Sequence, residues 1–136
     1  MPDKIELEVV TPDRRVLSAM VDDVILPSVD GYLGVLPGHA PLLCRLAVGE
    51  LSYLADGKRN YLTVSGGYAE VLRESVRILA DTSERAEEID LDRAEKARQR
   101  AERKLKADQA LHEFQAAEVR LKRAINRIQV HGKRAG

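Results

Sequence analysis

Val76-Arg-Ile-Leu-Ala-Asp-Thr-Ser-Glu84-Arg-Ala-Glu-Glu-Ile-Asp-Leu-Asp-Arg93-Ala94 is the stretch in which this chain changes character. Up to Asp81 the sequence is rich in Val, Leu, Gly and Pro and is cut into short apolar runs by turn residues. From Glu84 onward there is no Pro, and no Gly until Gly132; Ala, Glu, Lys, Arg and Leu dominate, a composition that favours helix. Charge switches at the same place. Residues 1–84 hold eight Lys or Arg against thirteen Asp or Glu, a net charge of −5. The whole chain balances at 22 against 22, so residues 85–136 carry +5. A neutral total hides an acidic first part joined to a basic second part.

Upstream of the switch, Ile5, Leu7 and Val9 alternate with Glu6 and Glu8, the period of a half-buried strand. Thr11-Pro-Asp13 reads as a turn, and Val16 to Leu26 as a second extended stretch ended by Pro27-Ser28. Leu33 to Leu36 lies between Gly31 and Pro37-Gly38. Leu46 to Leu54 and Tyr61 to Val64 flank Asp56-Gly57-Lys58, a turn with Gly available for positive φ. Ser65-Gly66-Gly67 reads as a break before a strand at Tyr68–Leu72, and Val76–Ala80 closes the series. Short strands at this spacing predict an antiparallel sandwich or flattened barrel.

Downstream, Ala94, Ala97, Ala101 and Leu105 form a narrow apolar stripe, and Leu111, Phe114, Ala117, Leu121, Ile125 and Ile128 form a second. Lys106-Ala107-Asp108-Gln109 is the predicted break between them. Small alanines opposite larger side chains predict two helices packed as an antiparallel hairpin. A hairpin of about 50 residues with a single buried stripe is marginal alone and needs a surface to lie against.

Composition excludes several classes. The single cysteine, Cys44, cannot form an internal disulfide. No apolar run approaches the roughly 18–20 residues that span a bilayer, and the first residues lack the apolar stretch of a secretory signal, so a soluble cytoplasmic chain without a transmembrane segment is expected. Aromatics are only 4% and Trp is absent, which leaves few platforms for stacking nucleic-acid bases. Gly31, Gly34 and Gly38 are not followed by Gly-Lys-Ser/Thr, so a Walker loop is excluded. His39 and Cys44 lack a second thiol or a nearby acid, and read as structural or interface residues rather than as a metal or nucleophile site. With no triad and no paired carboxylates in a cleft, the chain is expected to be non-catalytic.

Two basic groups remain. Arg93 and Arg100 are seven apart on the first helix, and Arg123 and Arg127 four apart on the second. In an antiparallel hairpin the four can converge, which suits a polyphosphate; a solvated basic face that keeps the arm soluble is the alternative. After Glu118 there is no acid, whereas Arg120, Lys122, Arg123, Arg127, Lys133 and Arg134 are basic. This end reads either as a docking surface for an acidic protein or, in part, as cations favoured near a helix C-terminus.

Val29-Asp-Gly-Tyr-Leu-Gly-Val-Leu-Pro-Gly-His-Ala-Pro-Leu-Leu43, Val64-Ser-Gly-Gly-Tyr-Ala-Glu-Val71 and Val76-Arg-Ile-Leu-Ala-Asp81 resemble the epsilon subunits of F-type ATP synthases. Glu84 to Asp90 and Lys122 to Val130 agree, so the resemblance runs from about Lys4 to Val130. It implies an α+β protein: an N-terminal antiparallel β-sandwich of about ten strands over residues 1–84, then an antiparallel two-helix hairpin over 85–136. It further implies a non-catalytic central-stalk subunit whose sandwich binds the gamma subunit and the c-ring, at Gly31, Tyr32 and His39. Tyr32 departs from the acid common at that position in relatives, which removes a charged contact there.

The resemblance also gives the arginines a meaning. ATP-binding members of the family begin the first helix with Ile-Asp-x-x-Arg-Ala, matched here by Ile89, Asp90, Arg93 and Ala94. Arg100, Arg123 and Arg127 match further arginines, and Glu84 an acid near the nucleotide. The implied ligand is regulatory ATP, with or without Mg2+, and no catalytic cofactor. The implied regulation is a mobile hairpin, folded when it holds ATP and otherwise extended, with its basic second helix against the alpha/beta catalytic hexamer. The implied location is the cytoplasmic face of the cell membrane, as a peripheral part of the F1 sector. A stand-alone nucleotide-responsive binding module is the alternative function.

Overall fold

The computed structural model describes residues 3–107 and 110–134. Eight strands come first: β1 (Ile5–Val10), β2 (Arg15–Val21), β3 (Asp23–Ser28), β4 (Gly31–Val35), β5 (Leu42–Arg45), β6 (Gly49–Ala55), β7 (Lys58–Val71) and β8 (Ser75–Arg85). They run in the order β2-β1-β8-β7-β6-β3-β4, with β5 paired to β7. All pairs are antiparallel except β1 with β8, which run parallel.

The sequence expectation of about ten strands is corrected to eight, and the reason lies at Ser65-Gly66-Gly67. That tripeptide bends a strand instead of ending it, so Tyr61–Val64 and Tyr68–Val71 are halves of β7. The first half of β7 pairs with β6 and the second with β5, while β8 runs alongside from Leu62 to Val71. Gly66 and Gly67 both have positive φ, +69° and +99°, which L side chains rarely adopt. A Cβ on Gly67 would also collide with the Leu79 carbonyl oxygen. Upstream, the Val16–Leu26 stretch divides at Asp22 into β2 and β3.

Alternation along the strands fills the interior. Ile5, Leu7, Val9, Val21, Val24, Leu26, Val35, Leu51, Leu62, Val64, Val71, Val76 and Ile78 are all buried in one continuous aliphatic core. At roughly 1.5–3 kcal/mol for each buried Val, Leu or Ile, this core dominates the stability of the molecule.

A short 3-10 turn, Ala86–Glu88, leads into α1 (Leu91–Lys106) and α2 (Leu111–His131). The Asp90 carboxylate caps α1 by accepting the Arg93 backbone N–H at 3.1 Å. α1 ends at Lys106 with Ala107 as its C-cap, at the start of the expected break; Asp108 and Gln109 lie outside the described residues. The hairpin forms as expected, but α2 is rotated from its apolar stripe. Its buried residues are Ala117, Ala124 and Val130, and those of α1 are Ala94 and Ala101. Leu111, Phe114 and Ile125 remain exposed. Alanine against alanine lets the helix backbones approach closely, which moves the larger side chains to the rim.

Between hairpin and sandwich the apolar contact is small: Ala86, Ile89 and Val130, with Tyr61 beside them. Polar contacts supply the rest. Asn126 Nδ2 donates to the Gly49 carbonyl at 2.8 Å. Lys133 Nζ donates to both Glu50 oxygens at 2.6 and 2.7 Å and lies 5.2 Å from the Tyr61 ring centroid.

Candidate functional site

Along this seam the sandwich presents a polar wall. Thr63 and Ser65 come from β7; Thr82, Ser83 and Glu84 come from the last turn-ward residues of β8. Ser83 Oγ donates to the Thr63 carbonyl at 2.6 Å, and Thr63 Oγ1 accepts the Glu84 backbone N–H at 2.9 Å. The two strands thus fix one another where Glu84 projects. Facing them are Arg93 of α1 and Arg123, Asn126 and Arg127 of α2, around a cavity of about 380 Å³.

Two contacts cross this cavity. Arg123 Nε donates to Ser65 Oγ at 2.7 Å. Arg127 offers a fork to Glu84, Nε to Oε1 at 2.6 Å and Nη2 to Oε2 at 3.3 Å. A second cavity of about 450 Å³ lies between the helices, lined by Ala97, Arg100, Ala101, Lys104, Arg120, Arg123, Ala124 and Arg127. Arg123 and Arg127 line both, so these two side chains join the cavities. The small alanines leave the interhelical space open, and its polar lining is wholly cationic. Such a place attracts an extended anion.

Of the sequence-expected residues, Glu84, Arg93, Arg123 and Arg127 stand together around the sandwich-side cavity, and Arg100 lines the interhelical one. The other members of the Ile-Asp-x-x-Arg-Ala motif take different places. Ile89 is buried against Ala86 and Val130, Asp90 caps α1, and Ala94 is buried within the hairpin. Lys104 and the hydroxyl wall were not legible beforehand. Lys104 lies a helical turn beyond Arg100, a spacing that could have singled it out. The wall needs strand register, which pairs Thr63 with Glu84 and Ser65 with Thr82.

At the sandwich end, Gly31 opens β4 with φ +126°. Tyr32 is exposed, and its hydroxyl accepts the Glu50 backbone N–H at 3.3 Å. It also lines a groove with Val48, Gly49 and the α2 residues Lys122, Ile125, Asn126 and Gln129. His39 lies in the β4–β5 loop, its Nδ1 hydrogen-bonded to the Ala40 carbonyl at 2.7 Å. Cys44 is half-buried, and burial pushes its thiol up, away from the reactive thiolate. Among the described residues no group of three His, Cys, Asp or Glu could hold a metal ion, and no helix is long and apolar enough to cross a membrane.

Fold and seam together define a β-sandwich that carries a helical hairpin across an arginine-lined cleft. The model of the ATP synthase delta/epsilon chain β-sandwich domain matches residues 4–86, and that of the long α-helix domain matches residues 87–132. The chain belongs to this family, as an epsilon chain of F-type ATP synthase. It is 47% identical over 132 residues to the ATP synthase epsilon chain of Nitratidesulfovibrio vulgaris strain DP4, covering 97% of this chain and 98% of that one. It is 52% identical over 103 residues to that of Solibacter usitatus, covering 76% and 77%. Among solved structures, a chain of the Euglena gracilis mitochondrial ATP synthase superposes with TM-score 0.81 at 27% identity, over 93% of this chain and 80% of that one. A chain of the Tetrahymena thermophila mitochondrial central stalk and c-ring, at 16% identity and TM-score 0.67 over 96% and 98%, shares the fold.

Proposed function

We propose that this chain is a non-catalytic rotor subunit of the central stalk, whose hairpin senses ATP and thereby regulates hydrolysis. The observation that carries this reading is the convergence of Arg93, Arg123 and Arg127 on a cleft that exists only while the hairpin lies on the sandwich. A nucleoside triphosphate would set its phosphates among the guanidiniums of the joined cavities, with Arg100 at the interhelical end and the hydroxyl wall and Glu84 at the other. Mg2+, where present, would travel with the phosphates. The ligand favours the docked hairpin only through its higher affinity for that state.

In the assembled enzyme, the sandwich contacts the gamma subunit and the c-ring through an end that includes Gly31, Tyr32 and His39. This holds the chain at the cytoplasmic face of the membrane within F1. The undocked hairpin lies along gamma, where the acid-free end of α2 meets acidic surface on the alpha/beta hexamer and resists rotation.

Calorimetric titration of the chain with ATP tests the site. Arg93→Ala and Arg127→Ala should each weaken binding by at least about 1.5 kcal/mol, roughly tenfold. Unchanged affinity in both returns the arginines to a solvated basic face. Lys122, which lies outside both cavities, tests the brake: Lys122→Glu should raise hydrolysis by the assembled enzyme most at low ATP, and less as salt rises. Co-purification with gamma and the hexamer separates a rotor subunit from a free nucleotide-responsive module.

A further inference from the structure

Resting on the polyphosphate reading of the cleft, we infer that Glu84 is a built-in competitor for Arg127, which an incoming anion must displace. The four arginines are not equivalent. Among the described residues Arg93 and Arg100 have no ion pair, and Arg123 donates through Nε to a neutral hydroxyl. Arg127 alone of the four is already matched to a carboxylate, through two hydrogen bonds in fork geometry. That is the geometry in which a guanidinium would receive two phosphate oxygens.

The pair is set at a critical position, because Arg127 lines both cavities and Glu84 reaches it from the sandwich side. The Glu84 main chain is held by Thr63, so the carboxylate cannot retreat by moving its strand. It is an acceptor only, and a phosphate oxygen brought to the same guanidinium would be a second anion in contact with the first. Binding is therefore an exchange. The anion takes Arg127, and the partly exposed carboxylate swings out to solvent.

The exchange has a structural consequence. Glu84–Arg127 ties β8 directly to α2. A bound polyphosphate replaces that tie with bridges among Arg93, Arg100, Arg123 and Arg127, which join α1 to α2. The hydroxyl wall of Thr63, Ser65, Thr82 and Ser83 still lines the sandwich side of the cleft, so the bound anion also bridges hairpin and sandwich in place of the lost ion pair. The lost ion pair sets the concentration at which this happens: a weaker internal competitor means saturation at lower ligand.

The test uses the full chain, inorganic tripolyphosphate as the probe, and constant ionic strength. Glu84→Gln keeps the length of the side chain and one acceptor oxygen for Arg127, so docking is weakened but retained. Calorimetry should show the variant binding tripolyphosphate about fivefold more tightly than the parent chain, on the scale of a partly exposed ion pair. In the parent chain labelled with carbon-13, the Glu84 carboxyl resonance at saturation should move to its position in ligand-free Arg127→Ala. Binding by the parent with that resonance unmoved, or an affinity in Glu84→Gln equal to or below that of the parent, overturns the exchange while leaving the polyphosphate site standing. Absence of binding by both proteins overturns the two readings together.

Discussion

The sandwich and the hairpin are held by different forces. Inside the sandwich a continuous set of Val, Leu and Ile is sealed from water. Among the described residues, the fully buried side chains of the hairpin's own seam are alanines, and three small or medium apolar residues meet the sandwich. What fixes it in place is chiefly ionic: Arg127 of α2 on Glu84, Lys133 just beyond α2 on Glu50, and Glu88 of the linker on Arg14. Aliphatic burial is not screened by salt, whereas partly exposed ion pairs are screened and individually weak. The hairpin is the more weakly held of the two regions.

The largest expected effect lies in the bend of β7. Gly67→Ala must place a Cβ onto the Leu79 carbonyl at positive φ, and should cost at least about 3 kcal/mol in urea unfolding of the sandwich. Ala124→Leu overpacks the alanine seam and should cost about 1–3 kcal/mol, confined to the hairpin. Its helical circular-dichroism signal should melt before the sandwich does; a single joint transition would break the division. Val130→Ala removes the main apolar anchor of α2 on the sandwich and should cost about 1.5 kcal/mol. Hydrogen exchange should rise across α2 while β7 and β8 stay protected.

The smallest effect is at the linker. The Arg14 guanidinium, followed by the backbone and side chain of Arg85, holds the Glu88 carboxyl at about 2, down from its usual 4.5. A carboxyl lowered on folding contributes stability that is complete above about pH 4.5, declines as pH falls from there toward 2, and is gone below it. Arg14→Ala should remove at most about 1 kcal/mol at neutral pH, because the pair is partly exposed. The parent and variant stabilities should converge as pH approaches 2. A constant difference across that range would mean that Arg14 acts through packing.

Much of this was legible in advance because local physics dominates it. The alternation Ile5, Leu7, Val9 favours a strand with one buried face, and the Ala-, Glu-, Lys- and Arg-rich run without Pro or Gly after Glu84 favours helix. The arginine spacings placed two pairs on helix faces. The rotation of α2 was not legible, since a periodicity reports which residues can be buried and not which face the partner helix takes. Nor was the parallel β1–β8 pair, which joins residues some seventy positions apart.

The sequence by itself determined a strand-rich acidic body, a basic helical hairpin and the place where one becomes the other, because composition and short-range periodicity act within a few residues. Only the tertiary structure decided that Ser65-Gly66-Gly67 bends a single strand, since whether two positive-φ glycines end pairing depends on the strands alongside. It also decided that Arg127 meets Glu84. That contact spans 43 residues, and it forms because the buried alanines fold α2 back along α1, onto β6 and β7 beside Glu84.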